Sequence, residues 1–284
     1  QRPKTPLPGM VPRPGAAECR GIVQPSLIVG LGKLGLQTLL VMRRSLSQAF
    51  GHADALPHIR LLGIDTDADM IQEAGAGDHH AILRAHELVL ARLHRPSHYL
   101  HQRTRDGYLP TDSWLNAKLI YRLPKRQKTA GLRALGRLAF VDNYRHIAQR
   151  LDAALQACAA QDTLHELAQH ADLGIRSPIP RVYVVAGLGG NTGSGMFLDT
   201  AYTLRHLLRR HGFGRAEVVG VFFLPSVAHE SIRSEALAHG FAALSELHHY
   251  ASGQSVFSAT YPEANSATPP KRISEAGAPF ERCF

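Results

Sequence analysis

Cysteine is scarce in this chain: Cys19, Cys158 and Cys283 are its 3 thiols among 284 residues, far apart and odd in number. They form no disulfide framework and no zinc spacing, so a reducing, cytoplasmic compartment is expected. Aromatic residues make up 7% of the sequence, and none interleaves with the basic clusters as a base-stacking surface requires. No apolar run reaches the ~18 residues that a membrane span needs, and the first residues lack the apolar stretch of a signal peptide. Acidic residues are outnumbered, 23 against 32 basic ones, giving a formal charge of +9 and a pI near 9.8. Such an excess suits nucleic acid, an acidic membrane surface or an anionic small ligand. The basic residues are scattered, however, with short clusters such as Arg122, Lys125, Arg126 and Lys128, so nucleic acid is not expected as a partner. Metal-binding patterns are missing as well. The 17 histidines include the adjacent pairs His79–His80 and His248–His249, which do not share a helix face, and no HExxH or His-x-His set occurs. The chain does not begin with Met and stops at Cys283–Phe284 just after a polar loop, so a piece of a longer protein is expected.

What is present is a globular composition, 44% hydrophobic and 19% charged, with ample material for a buried core. Residues 1–24 hold 5 of the 17 prolines and no periodic apolar pattern, which suggests a flexible arm. Ser26-Leu27-Ile28-Val29 is a short apolar run that ends in Gly30 and opens a helix-like stretch from Lys33 to Phe50. A second strand runs from Ile59 to Ile64 and ends at Asp65-Thr66-Asp67. Leu83, Leu88 and Val89 give Ala81–Leu93 helical spacing, but Pro96, Pro110 and Pro124 interrupt the residues after it, so 69–127 reads as an insertion of helix and irregular structure. Helical spacing returns from Gly131 to Ala160. A third strand, Val182–Ala186, feeds a glycine-rich loop and then a helix through Phe197, Leu204 and Leu208, closed by Gly212. A fourth, Glu217–Leu224, leads through Pro225 to a helix from about Val227 to Tyr250. Residues 25–253 thus form the main domain, and 254–284 a polar, turn-rich loop with the start of another strand at Pro279–Phe284. Continuous apolar strands alternating with helices predict an α/β fold, a mostly parallel sheet with helices on both faces. Ligands in such sheets sit at the carboxyl ends of the strands.

Two loops at that edge carry the chemistry. Gly30-Leu31-Gly32-Lys33-Leu34-Gly35 is formally GxGxxG between strand and helix, where glycines allow close backbone approach and the helix N-terminus offers free N–H groups to an anion. A dinucleotide site also wants an acidic residue about 20 positions on. Asp65 ends the second strand but lies thirty residues beyond Gly35. The second loop, Gly187-Leu188-Gly189-Gly190-Asn191-Thr192-Gly193-Ser194-Gly195, has 5 glycines in 9 residues. Consecutive N–H groups in such a run form a nest for phosphate oxygens. A P-loop would need Lys before a Ser or Thr here, and Gly193-Ser194-Gly195 excludes that class. A loop free of phosphate duty has little need of so many glycines. Thr192 and Ser194 could also serve only to cap the helix.

The second loop resembles the GGGTGSG signature of tubulins and the bacterial division protein FtsZ, with Asn191 in place of a glycine. Gly30 to Gln37 resembles the first phosphate loop of that family, and Gly63-Ile64-Asp65-Thr66-Asp67 its second loop. Lys128 to Arg137 is similar to the large bacterial tubulin-like branch. The resemblance covers about residues 25–252 and implies a Rossmann-like GTPase domain that binds GTP or GDP, with Mg²⁺ held through the nucleotide phosphates. By position, Gly30, Gly32, Gly35 and Gln37 would face the α- and β-phosphates and the nucleoside, with Asp65, Thr66 and Asp67 nearby. Thr129, Ala130 and Gly131 stand where the family senses the γ-phosphate, and Gly187, Gly189, Gly190, Asn191, Thr192, Gly193 and Ser194 would cradle the phosphates. Pro225, Glu230 and Arg233 resemble the set around the ribose, Glu230 one position late.

The resemblance further implies a cytoskeletal, filament-forming GTPase that self-associates into protofilaments. The family's hydrolysis loop and base-contacting helix find no match in this chain, so binding without turnover is expected of it and no catalytic residue is assigned. Two other functions remain open. One is an NAD(P)-binding oxidoreductase domain built on the GxGxxG loop. The other is a nucleotide-free tubulin-like scaffold.

Overall fold

The computed structural model describes residues 23–51, 55–77, 81–99, 101, 110–123, 129, 131–162, 164–165, 174, 176–226, 234–262 and 270–284. Strand β1 (Ser26–Leu31) is followed by helix α1 (Gly32–Phe50), then β2 (Ile59–Asp65), α2 (Ala68–Ala74) and a short β3 (Leu88–Leu90). Helices α3 (Arg133–Asp142) and α4 (Tyr144–Cys158) precede β4 (Arg181–Gly187), α5 (Thr192–Arg210), β5 (Val218–Phe223) and α6 (Ser234–Ala251). An antiparallel pair, β6 (Val256–Tyr261) and β7 (Lys271–Ala276), and a final β8 (Arg282–Cys283) complete the described elements.

Six strands form one sheet in the order β3-β2-β1-β4-β5-β8, and every pairing in it is parallel. The apolar runs explain this arrangement, because side chains alternate across a strand and both faces must be covered. Leu27, Val29 and Leu31 of β1 enter the large core that packs under α3, α4 and α5, together with Val182, Val184 and Ala186 of β4. Ile28 and Val185 face the other way, onto Leu36 and Leu39 of α1 and Ala74 of α2. The α/β fold with helices on both faces is as the sequence pattern leads one to expect.

Several local expectations need correction. Ala81–Leu93 is not a helix: it contains a 3₁₀ turn at Ala85–Glu87 and strand β3, which adds to the edge of the sheet beside β2. Val89, Ala91 and Leu93 are all buried, and their spacing of 2 is strand periodicity that the isolated leucines obscured. Within 69–127, Leu88–Leu90 thus pairs with β2 at the sheet edge. The long helical stretch after Gly131 is two helices, broken where the Asn143 amide donates to the carbonyls of Ala139 and Arg92 and competes with the backbone ladder.

The stretch read as turn-rich holds the β6–β7 hairpin. Ser258, Arg272 and Ser274 form an outer face, while Phe257, Tyr261, Ile273 and the ion-paired Glu275 are buried, and Phe257 stacks on Tyr202 with centroids 4.2 Å apart. The terminal strand suggested at Pro279–Phe284 is β8, on the free edge of β5. Residues 1–22 of the suggested arm lie outside the described residues; Val23 is buried and its N–H donates to the Gly174 carbonyl. The helix expected from Val227 is described from Ser234 onward.

Helices α3 and α5 cross at their first turns with almost no space between their backbones. A Cβ on Gly195 would lie 2.5 Å from the Arg133 carbonyl oxygen and 2.8 Å from the Arg137 nitrogen. Backbone atoms cannot yield as a flexible side chain can, so Gly195→Ala is expected to destabilise the protein by roughly 1–3 kcal/mol in denaturant unfolding. Gly214→Ala, where a Cβ would meet nothing within 4 Å, should stay within about 0.5 kcal/mol of the parent.

Candidate functional site

Strand order reverses between β1 and β4. From β1 the chain moves outward through β2 to β3, then returns to β4 and moves the other way. Loops leaving two such strands part in opposite directions and leave a crevice between them. The strands end level, since Leu31 pairs with Ile64 on one side and with Ala186 on the other. A cleft of about 600 Å³ occupies this place, lined by residues from the loops after β1, β2 and β4 and from the turn before α3. That volume is within the usual range of small-molecule sites.

Two helices start in the cleft. Helix α1 begins at Gly32, whose φ of +69° is the left-handed conformation that favours glycine. Helix α5 begins at Thr192. Neither N-cap, Leu31 or Asn191, makes a side-chain capping bond, and neither first turn holds an acidic residue. The first N–H groups of an α-helix have no partner within it, and the helix dipole places partial positive charge there. The two turns also touch: a Cβ on Gly32 would lie 3.1 Å from the Gly193 nitrogen, and one on Gly193 would lie 2.9 Å from the Leu31 carbonyl oxygen. Two bare, positive helix ends thus share one cavity, with Lys33 on its rim.

Side chains bind the loops to one another. Thr66 Oγ1 and Thr192 Oγ1 share a hydrogen bond of 2.8 Å, which joins the β2 loop to the start of α5. The Asn191 amide donates to Thr129 Oγ1, and the Ser194 hydroxyl donates to the Gly190 carbonyl. Asp65 turns back on its own loop, its Oδ1 accepting the N–H groups of Thr66 at 2.6 Å and Asp67 at 3.2 Å. Asp67 caps α2 by accepting from the Asp69 N–H at 3.0 Å. Burial raises the Asp65 carboxyl from 3.8 to about 6, and the two backbone donors offset only part of that rise.

Of the residues proposed from sequence, Gly32, Asp65, Thr66, Asp67, Thr129, Gly131, Gly187, Gly190, Asn191, Thr192 and Gly193 line the cleft. The others that are described do not. Gly30 and Gly35 pack on each other, a Cβ on Gly35 falling 2.6 Å from the Gly30 carbonyl carbon. Gly189 packs on Pro225, where a Cβ on the glycine would lie 3.2 Å from the proline Cβ. Ser194 is fully buried, and Gln37 is exposed on α1. Ala130, Glu230 and Arg233 lie outside the described residues. Leu31, Leu34 and Met70 also line the cleft and were not singled out from the sequence. Leu34 gave a signal in its place within the first loop; Met70, on α2, gave none.

The inference from glycine number needs correction too. Gly187 packs against the Leu34 side chain, Gly189 against Pro225, Gly193 against Leu31 and Gly195 against α3, so much of that glycine content serves internal contacts. Gly190 is different: a Cβ there would meet only the Gly187 carbonyl oxygen, at 3.6 Å. Of the five glycines in the second loop, it alone lines the cleft without a tight protein contact to explain it.

A family model described as "Tubulin like" matches residues 27–284. No curated protein sequence matches. Among solved structures, CetZ from Methanosaeta thermophila strain DSM 6194 is similar, with 16% identity over 80% of this chain and 43% of that one and a TM-score of 0.43. CetZ2 from Haloferax volcanii, in a GTPγS-bound protofilament, gives 16% identity, 78% and 45% coverage and a TM-score of 0.43. TubZ of Clostridium botulinum phage c-st gives 12% identity, 80% and 49% coverage and a TM-score of 0.44. The chain spans less than half the length of each of these structures.

The raised Asp65 carboxyl makes stability depend on pH. The folded state holds this proton more tightly than the unfolded chain, so stability falls as pH rises from 3.8 to about 6 and stays reduced above that window. The difference between 3.8 and about 6 corresponds to on the order of 3 kcal/mol. Asp65→Asn keeps an oxygen for both backbone donors and removes the ionisation. It is expected to raise stability at pH 7.5 and to flatten the slope between pH 4 and 6 in urea unfolding followed across pH; an unchanged slope would contradict the assignment.

Proposed function

Because the chain belongs to the tubulin-like family, we propose that its cleft holds the phosphates of a guanine nucleotide, GTP or GDP, between the N-termini of α1 and α5. The observation that supports this most is the meeting of two uncapped helix ends in one cavity at the reversal of strand order. Each end attracts an anion through free N–H groups and the helix dipole, and a polyphosphate is long enough to engage both. Lys33 adds positive charge at the rim. Gly190 leaves the backbone open to close approach, and the Thr66–Thr192 bond keeps the two loops at a fixed separation. Preference for guanine is carried by the family match alone.

Mg²⁺ fits this donor set in one way. Among the described residues no group of three or more metal-ligating side chains is gathered. The carboxylate of Asp67 lines the cleft, however, and is the kind of hard oxygen donor such an ion prefers. The ion would be held through the phosphates with this carboxylate beside it, and it would supply neutralisation of phosphate charge. Family membership also supports self-association into protofilaments in the cytoplasm. No described helix is long and apolar enough to cross a membrane.

A dinucleotide site is the second possibility, favoured by the strand order and by Asp65 at the end of β2. Against it, the Asp65 carboxylate is buried and its Oδ1 is engaged by the N–H groups of Thr66 and Asp67, so it is poorly placed to meet a ribose hydroxyl.

Titration with a fluorescent GTP analogue and, separately, with NADH distinguishes the two. Saturable binding of the GTP analogue, competed by GDP and not by NADH, is expected. Gly190→Asp places a carboxylate in the cleft without a backbone clash and should weaken that binding at least ~10-fold, about 1.4 kcal/mol, with unfolding little changed. Saturable NADH binding without GTP binding would transfer the assignment to the dinucleotide class, and binding of neither would leave a nucleotide-free scaffold.

A further inference from the structure

The first turn of α5 is held from behind by a side chain that does not line the nucleotide cleft. Arg133, the first residue of α3, donates its Nε–H to the Ser194 carbonyl oxygen at 2.9 Å. Its two terminal nitrogens donate to the two carboxylate oxygens of Glu246 on α6, each at 2.6 Å. One planar guanidinium therefore joins three helices, and only arginine has a fork that serves a carbonyl and a carboxylate together.

The position of this clamp is what gives it consequence. Ser194 lies in the turn whose free N–H groups face the cleft, and its hydroxyl also holds the Gly190 carbonyl. Arg133 comes just after the turn of Thr129 and Gly131, both of which line the cleft, and the Leu132 N–H closes that turn on the Thr129 carbonyl at 2.8 Å. The same turn runs near α6 at Gly131, where a Cβ would lie 3.7 Å from Glu235 Oε2. Backbone contact at Gly136 and Gly195 brings the two first turns close enough for one side chain to span them. Helix α6 buries Gly240 and Ala243 and packs Leu247 and Tyr250 on the core, while Leu237, Phe241 and Leu244 are exposed.

We propose that Arg133 is a positioning residue for nucleotide binding, fixing the first turn of α5 and the Thr129–Gly131 turn through its clamp on Ser194 and Glu246. The proposal rests on the nucleotide assignment above. Through Glu246 it also makes α6 the outside element to which the phosphate-binding turn is tied. A loosened turn presents its N–H groups out of line with the phosphates, and small misplacements of oriented groups are expensive.

Two measurements on the same variants separate this proposal from the assignment it rests on. Amide hydrogen exchange over Asn191–Gly195 is measured without nucleotide, and affinity for the fluorescent GTP analogue is measured beside it. Arg133→Ala is expected to speed exchange in that turn and to weaken binding roughly 10-fold or more. Glu246→Gln keeps one good acceptor and should give a smaller change of the same kind. Arg133→Lys keeps the charge without the fork and should rescue only part of the loss. Arg205→Ala, which removes the ion pair with Glu281 farther along α5, should leave both readings at the parent value. Unchanged exchange in Arg133→Ala overturns the clamp. Faster exchange with unchanged affinity overturns its role in positioning. Faster exchange in a protein whose parent form binds no nucleotide leaves the mechanical link standing and removes the ligand from it, which overturns the proposal as stated.

Discussion

Two positive helix ends are held against each other in this molecule, and the architecture of its carboxyl edge depends on that contact. Helix dipoles of like sign repel when their ends meet. The contact persists because the parallel pairing of β1 with β4 sets where each helix must start, and because Gly32 and Gly193 remove the side chains that would keep the turns apart. An anion between the turns would relieve the repulsion that the sheet imposes, which is the physical basis of the proposed site.

Glycine has two duties at this edge, and they divide by position. At Gly35, Gly187, Gly189, Gly193 and Gly195 a side chain would strike another part of the protein, so these residues permit the close packing that brings the loops together. Gly190 stands clear of such contacts and faces the cleft. A substitution at the first kind disturbs the fold, and one at Gly190 disturbs the cavity. The hydroxyl pair of Thr66 and Thr192 and the clamp of Arg133 then fix what the glycines allow.

Much of this was legible in the sequence because the relevant signals are local. Continuous apolar strands ending in glycine or aspartate announced β1, β2 and β4 and the edge at which a ligand would sit, and eleven of the residues chosen from the loops line the cleft. What escaped was non-local or masked by residue type. Strand β3 hid because Leu83 and Leu88 mimic helical spacing while Val89, Ala91 and Leu93 carry the true period. The β6–β7 hairpin hid because its outer face is polar and its inner aromatics find their partners, Tyr202 and Tyr144, far back in the chain. Gln37 and Pro225 were carried over from the resemblance by position, and the structure places the first on an exposed helix face and the second against Gly189 and Gly240.

Backbone amide chemical shifts during a titration with Mg²⁺ and GDP test the central claim most directly, because the amides themselves are the proposed ligands. Gly32, Lys33 and Leu34 on one turn and Gly190, Asn191, Thr192 and Gly193 on the other should shift together, along a single binding curve. Shifts confined to the first turn, or two curves of different midpoint, would mean that the helix ends do not grip one polyphosphate.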